Sequence, residues 1–147
     1  VINVKSIRAH GQLTCEGTPL PGVRVTLWED DWFSDDELAV QSTDDQGRFN
    51  ISGSNQEVGN IEPYLEFRGI ECSEAWALSD SSHAQFHART VGKDCHRDTV
   101  FYVQLGEVEY EATANLYTSD LAAFCTAGVN NKYFWLPEFI TKTHSIA

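Results

Sequence analysis

Between Glu29 and Asp45 the chain carries eight carboxylates, Glu29, Asp30, Asp31, Asp35, Asp36, Glu37, Asp44 and Asp45, with no lysine or arginine among them. Such density is self-repelling, and a hard divalent cation taking roughly six to eight oxygen ligands relieves it. Calcium held by Asp30, Asp31, Asp35 and Asp36 can bridge this segment to the phosphate or carboxylate of a phospholipid. The plain alternative is a solvated acidic loop, with Asp44-Asp45 forming a turn whose side chains bond local backbone. The ligand spacing of an EF-hand is absent. Inside the loop sit Trp32 and Phe33, two large rings with no obvious inner face. Exposed aromatic residues beside charges suit a membrane interface or a protein hot spot, whereas a loop that folds back would bury them.

A second aromatic stretch, Tyr133-Phe134-Trp135-Leu136-Pro137-Glu138-Phe139-Ile140, is flanked by Lys132 and Lys142. It can dip into lipid or dock a receptor, or serve instead as an edge or core strand. Among the histidines, His83 and His87 stand four apart, a spacing that aligns them on a helix and could bind zinc. No cysteine or carboxylate completes a ligand set, and H-E-x-x-H is absent. His10, His96 and His144 have no partner motif. Neither G-x-S-x-G nor a P-loop nor a dinucleotide fingerprint occurs, so the expectation is a non-enzymatic protein without a required cofactor.

Composition narrows the partners. The formal net charge is −12 with only ten lysines and arginines, which disfavours binding to phosphate backbones or simple adhesion to anionic membranes. No apolar run approaches the ~20 residues of a membrane helix. The chain opens Val1-Ile2-Asn3 without Met, as a form trimmed of a leader would. The four cysteines, Cys15, Cys72, Cys95 and Cys125, lack C-x-x-C spacing. Together with the sequon Asn50-Ile51-Ser52 they point to a secreted, extracellular protein with two disulfides and a glycan at Asn50. Three connectivities exist. The preferred one joins Cys72 to Cys95, closing a hairpin region, and Cys15 to Cys125, tying the first strand to the end of the fold.

The elements that must position these groups read as strands. Ile7, Ala9 and Leu13 mark the inner face of a strand over 6–14, and Val23, Val25 and Leu27 alternate with Arg24, Thr26 and Trp28. Dense turn chemistry over 16–22 separates them. Residues 29–36 read as a loop, 38–42 as a short edge strand, and Asp44-Asp45-Gln46-Gly47 as a turn into a strand with Phe49 and Ile51 inward. Further strands are expected over 61–67, 86–91, 99–105 and 107–117, the last pairing with the closing strands, and a short helix over 73–82 behind Ser73. The sum is an all-β domain spanning 1–147: an antiparallel β-sandwich of seven or eight strands with one short helix.

The series GQLTCEGTPLPGVRVTLWEDD, STDDQGRFNISGS and IEPYLEF, with Gly11, Cys15, Pro19, Thr43-Asp44, Gly47, Phe49, Gly53 and Pro63-Tyr64, resembles the nematode transthyretin-like family of secreted proteins. The likeness covers about residues 7–105, and 106–147 is a less typical C-terminal extension. It implies the transthyretin-like (prealbumin-like) sandwich, and it supports Cys72 with Cys95 and a late cysteine returning to the first strand. One role described in the family is that of a bridging molecule in apoptotic cell clearance, recognising phosphatidylserine and a phagocyte receptor. The resemblance therefore implies a lipid headgroup and a cell-surface receptor as partners; the candidate contacts, Trp32, Phe33, Tyr133, Phe134 and Trp135, come from the aromatic segments themselves and not from the resemblance. The rival readings are a carrier of a small apolar ligand, as monomer or dimer, and a protein–protein interaction module. The fold also resembles that of 5-hydroxyisourate hydrolases, whose closing Tyr-Arg-Gly-Ser is missing here: this chain ends Thr143-His144-Ser145-Ile146-Ala147.

Overall fold

The structure is a computed structural model that describes residues 3–15, 17–31, 33–57, 59–69, 100–121, 133–135 and 141–145. Period-two alternation in the sequence becomes strand almost everywhere within them. The elements are β1 (Asn3–Cys15), β2 (Thr18–Pro19), β3 (Arg24–Glu29), β4 (Asp36–Ser42), β5 (Arg48–Glu57), β6 (Pro63–Arg68), β7 (Val100–Gln104), β8 (Glu111–Asp120), β9 (Tyr133–Trp135) and β10 (Thr141–Ser145). Ten strand segments thus stand where seven or eight were expected, because β2 and β9 are too short to announce themselves by alternation. The expected helix over 73–82 and strand over 86–91 lie outside the described residues.

The strands form two sheets. In the first, β1 is central, flanked by β8 and then β10 on one side and by β5 and the short β2 on the other. The second runs β4-β3-β6-β7-β9. Most pairings are antiparallel, but β1 with β8 and β7 with β9 are parallel. The strand following residue 107 therefore does not pair with the closing strands as expected: its partners are β1 and β10. Residues beyond 106 complete the first sheet along nearly the whole of β1.

Inward faces from the two sheets meet in one core. Ile7, Ala9 and Leu13 of β1, Ile51 of β5, and Ala114 and Leu116 of β8 pack against Val25, Leu27, Leu65, Phe67, Phe101 and Val103. Phe49 and Phe67 approach at 5.7 Å between centroids with a 60° tilt, a favoured arrangement for aromatic rings. Alternation in β3 is less clean than the sequence suggests, since Thr26 on the outer face is buried and Trp28 is half-buried.

The segment Thr43-Asp44-x-x-Gly47-x-Phe49 has a clear physical basis. Asp44 Oδ1 accepts from the amides of Gln46 and Arg48, each at 2.9 Å, as Asx turns do. Gly47 adopts φ 73°, and a Cβ there would lie 2.4 Å from the Leu13 carbonyl oxygen, so only glycine fits. Buried Thr43 donates through Oγ1 to the Leu20 carbonyl at 2.6 Å and accepts from the Val23 amide at 2.9 Å. Three hallmark residues thereby clamp the β4–β5 turn onto β1 and the entry to β3.

Candidate functional site

The acidic loop is the connection between β3 and β4, and both strands dictate its geometry. The β3 register Val25, Leu27, Glu29 directs Glu29 toward the core, leaving it 3% exposed. Glu29 lies opposite Asp36 of β4 on one side and Pro63 of β6 on the other. This pairing gathers Glu29, Asp31 and Asp36, one carboxylate oxygen of each lying within 4.8 Å of the others. By sequence alone Asp30, Asp31, Asp35 and Asp36 form the expected cation group. Of those four, Asp31 and Asp36 enter the cluster, and Glu29 joins them. Its parity with Val25 and Leu27 was the available signal that it belongs to the strand rather than the loop.

Asp35 does different work. It accepts a short hydrogen bond from the Tyr64 hydroxyl and another, through Oδ1, from the Asp31 amide at 3.3 Å. The Asp30 amide donates to the Glu62 carbonyl at 3.1 Å, and Asn55 Nδ2 donates to Asp36 Oδ2 at 3.3 Å. The loop is thus fastened on the β6 side at Asp30 and Asp35 and to β5 of the first sheet at Asp36, while its tip projects. Tyr64 belongs to a row on the outer face of that sheet, stacked on Trp28 at 6.4 Å and edge-on to Tyr102 at 6.0 Å. Burial first, and then the hydrogen bond and charge of Asp35, push the Tyr64 phenol above its ordinary range. Asp30 is also held above the ordinary carboxylate range, by desolvation, by the charge and hydrogen bond of Asp35, and by the charge of Asp31.

Phe33 sits at the tip of this loop and is 100% exposed. The loop does not fold back over it. An unburied phenyl ring flanked by carboxylates can insert into an apolar partner, gaining about 25 cal/mol for each Å² removed from water. Trp32 lies outside the described residues.

The other sequence-predicted residues are dispersed. Tyr133, Phe134 and Trp135 form β9, pairing in parallel with β7 at the edge of the second sheet; residues 136–140 lie outside the described set. Asn50 is exposed on β5 and accepts through Oδ1 from Arg8 Nε at 2.9 Å. Cys15 is fully buried at the end of β1, while Cys72, Cys95 and Cys125 are outside the described residues, as are His83, His87 and His96. The structure therefore does not join the acidic loop and the late aromatic segment into one described surface. Among the described residues no helix is long and apolar enough to cross a membrane.

Residues 10–103 match the model of the Transthyretin-like family, TTR-52. Transthyretin-like protein 2 of Caenorhabditis elegans is 44% identical over 68 residues, covering 42% of this chain and 46% of that protein. Transthyretin-like protein 1 of the same organism is 39% identical over 70 residues, covering 42% and 45%. The chain spans under half the length of the curated relatives it matches. A crystal structure of (S)-allantoin synthase overlaps 78% of this chain and 41% of its own at 14% identity, with a TM-score of 0.45, too distant a likeness to bear on function.

Proposed function

This chain belongs to the transthyretin-like family, and from that premise we propose that it is a secreted, non-enzymatic recognition protein of the extracellular space. Its sandwich acts as a rigid carrier for connecting segments that touch partners, as loops on a scaffold commonly do. The finer reading is a bridging protein of apoptotic cell clearance. One surface engages phosphatidylserine or a similar lipid headgroup, and another engages a phagocyte receptor.

The observation that carries this reading is Phe33, wholly exposed at the tip of a loop whose base is fastened by Asp35 to Tyr64. A ring held out on an anchored loop loses little further freedom on binding and contributes apolar burial that the charged rim does not. Whether a cation joins the carboxylates of Glu29, Asp31 and Asp36 to a headgroup is decided by comparing calcium with chelator.

Flotation on phosphatidylserine-containing and neutral vesicles, each with calcium and with chelator, tests the lipid reading. The native chain is expected to float with the phosphatidylserine vesicles, and Phe33→Ser to float several-fold less. Equal recovery on neutral vesicles removes the lipid claim. A protein-interaction module is the reading left standing in that case, because an exposed phenyl ring serves a protein hot spot equally well.

A further inference from the structure

The outer face of the first sheet bears a second feature, at the other end of β4 from the acidic loop. An open cleft of about 530 Å³ is lined by Arg8, His10 and Gln12 from β1, Arg48 and Asn50 from β5, and Tyr117 from β8. Gln41, Ser42 and Asp44 complete its wall where β4 turns into β5. In a chain of net charge −12, two arginines and an imidazole here face a single carboxylate. That carboxylate, Asp44, already accepts two backbone amides through Oδ1.

The arginines are arranged to receive an anion. Arg8 is oriented by its Nε bond to Asn50 Oδ1 at 2.9 Å, which leaves the outer edge of the guanidinium for a ligand. Arg48 uses its backbone amide on Asp44, and among the described residues its guanidinium bonds no carboxylate. The neighbouring polar groups are held in place as well. The Asn50 amide donates to Gln41 Oε1 at 2.7 Å, and Gln12 Nε2 donates to the Gln46 carbonyl at 2.7 Å. Guanidinium forks match the geometry of tetrahedral oxyanions, giving short charge-assisted bonds.

Backbone irregularity aims Tyr117 at this place. The parallel register between β1 and β8 shifts between His10 and Gln12, so that two residues of β8, Leu116 and Tyr117, lie opposite Gly11. Leu116 fills the core against Gly11, where a Cβ would meet the Leu116 Cβ at 2.9 Å. Tyr117 takes φ 45°, the one positive value among described non-glycine residues, and stands 59% exposed at the cleft. A tyrosine in the left-handed region is strained, and such strain gathers at ligand sites. Bulges beside binding sites re-aim side chains in this way.

We propose that this cleft binds the phosphate or sulfate group of a small anionic ligand, with Arg8 and Arg48 gripping the oxyanion and the Tyr117 ring covering the remainder of the molecule. A soluble ester and a lipid headgroup share this chemistry. The site is separate from the acidic loop, and its existence does not depend on lipid recognition there.

Calorimetric titration of the unglycosylated full chain with inorganic phosphate and with sulfate tests it. Binding in the millimolar range is expected, weakening as salt is added. The double variant R8Q/R48Q is expected to bind about tenfold more weakly or worse, and R24Q, an exposed arginine on the other sheet, to bind like the parent. All three residues changed or compared this way are exposed, and matched melting curves exclude misfolding. Phosphatidylserine flotation of R8Q/R48Q then separates the sources: retained flotation assigns the cleft to a soluble ester, and lost flotation to a headgroup. Absence of any heat up to tens of millimolar anion, or equal affinity in the double variant, overturns the proposal. So does native protein fully glycosylated at Asn50, because the glycan would fill the cleft.

Discussion

Single side chains in this protein do their work through the hydrogen bonds they complete. Thr43 links two chain segments, donating to Leu20 and accepting from Val23 while itself buried. Thr43→Val keeps the shape but leaves a carbonyl and an amide without their partner. Chemical denaturation is expected to register a loss of about 1–3 kcal/mol; an unchanged midpoint would mean the turn is held by Asp44 and Gly47 alone. Asp30 supplies a pH signature. Its carboxyl is held above the ordinary range, so the folded chain keeps that proton more tightly than the unfolded chain does. The associated stability is complete below the ordinary carboxylate range and is lost as pH rises through the raised value. Asp30→Asn is therefore expected to be at least as stable as the parent at neutral pH, with the difference shrinking toward about pH 4. Urea midpoints at both pH values check this, and a variant weaker at neutral pH would show that the carboxylate is attracted rather than repelled.

At the level of elements, the departures from regular strand carry the information. The β8 bulge depends on Gly11, since a methyl group there meets Leu116 at 2.9 Å. Gly11→Ala is expected to destabilise by about 1–3 kcal/mol, as overpacking does, seen as a fall in the thermal midpoint. A midpoint that stays put would mean β8 can slide to relieve the contact. The β3–β4 connection behaves differently: its two strands bring Glu29 opposite Asp36, and the loop between them is tied down at Asp35 and Asp30 and left open at Phe33. Alternation could be read directly in β1 and β5, because each has one face in the core and one outside, and in β3 for its inward face, although its outer Thr26 is buried as well. It could not reveal β9, whose three residues are fewer than two periods, nor the partner of β8.

For the molecule as a whole, the parallel pairing of β1 with β8 brings a late segment of the chain beside the first strand. Their register runs to Thr14 opposite Asp120, so the chain leaves β8 alongside Cys15, only five residues before Cys125. The pairing expected from the sequence is open to direct test: peptide mapping without reductant is expected to recover Cys15 linked to Cys125 and Cys72 to Cys95. Closing so long a loop contributes about 4–5 kcal/mol in the chain-entropy account, so reduction should lower the melting temperature markedly. Recovery of Cys15 joined to Cys72 or Cys95 would refute the pairing.

Local patterns in the sequence sufficed for the sandwich class, the inward faces of β1 and β3, and the Thr43–Phe49 turn, because period-two burial and turn conformation are properties of neighbouring residues. The family likeness was carried by the same short-range motifs. What only tertiary packing settled was which distant strands meet: β8 beside β1, Glu29 beside Asp31 and Asp36, and two arginines beside Tyr117. Register between strands separated by a hundred residues is set by how both inner faces fill one core, and no local window contains that information.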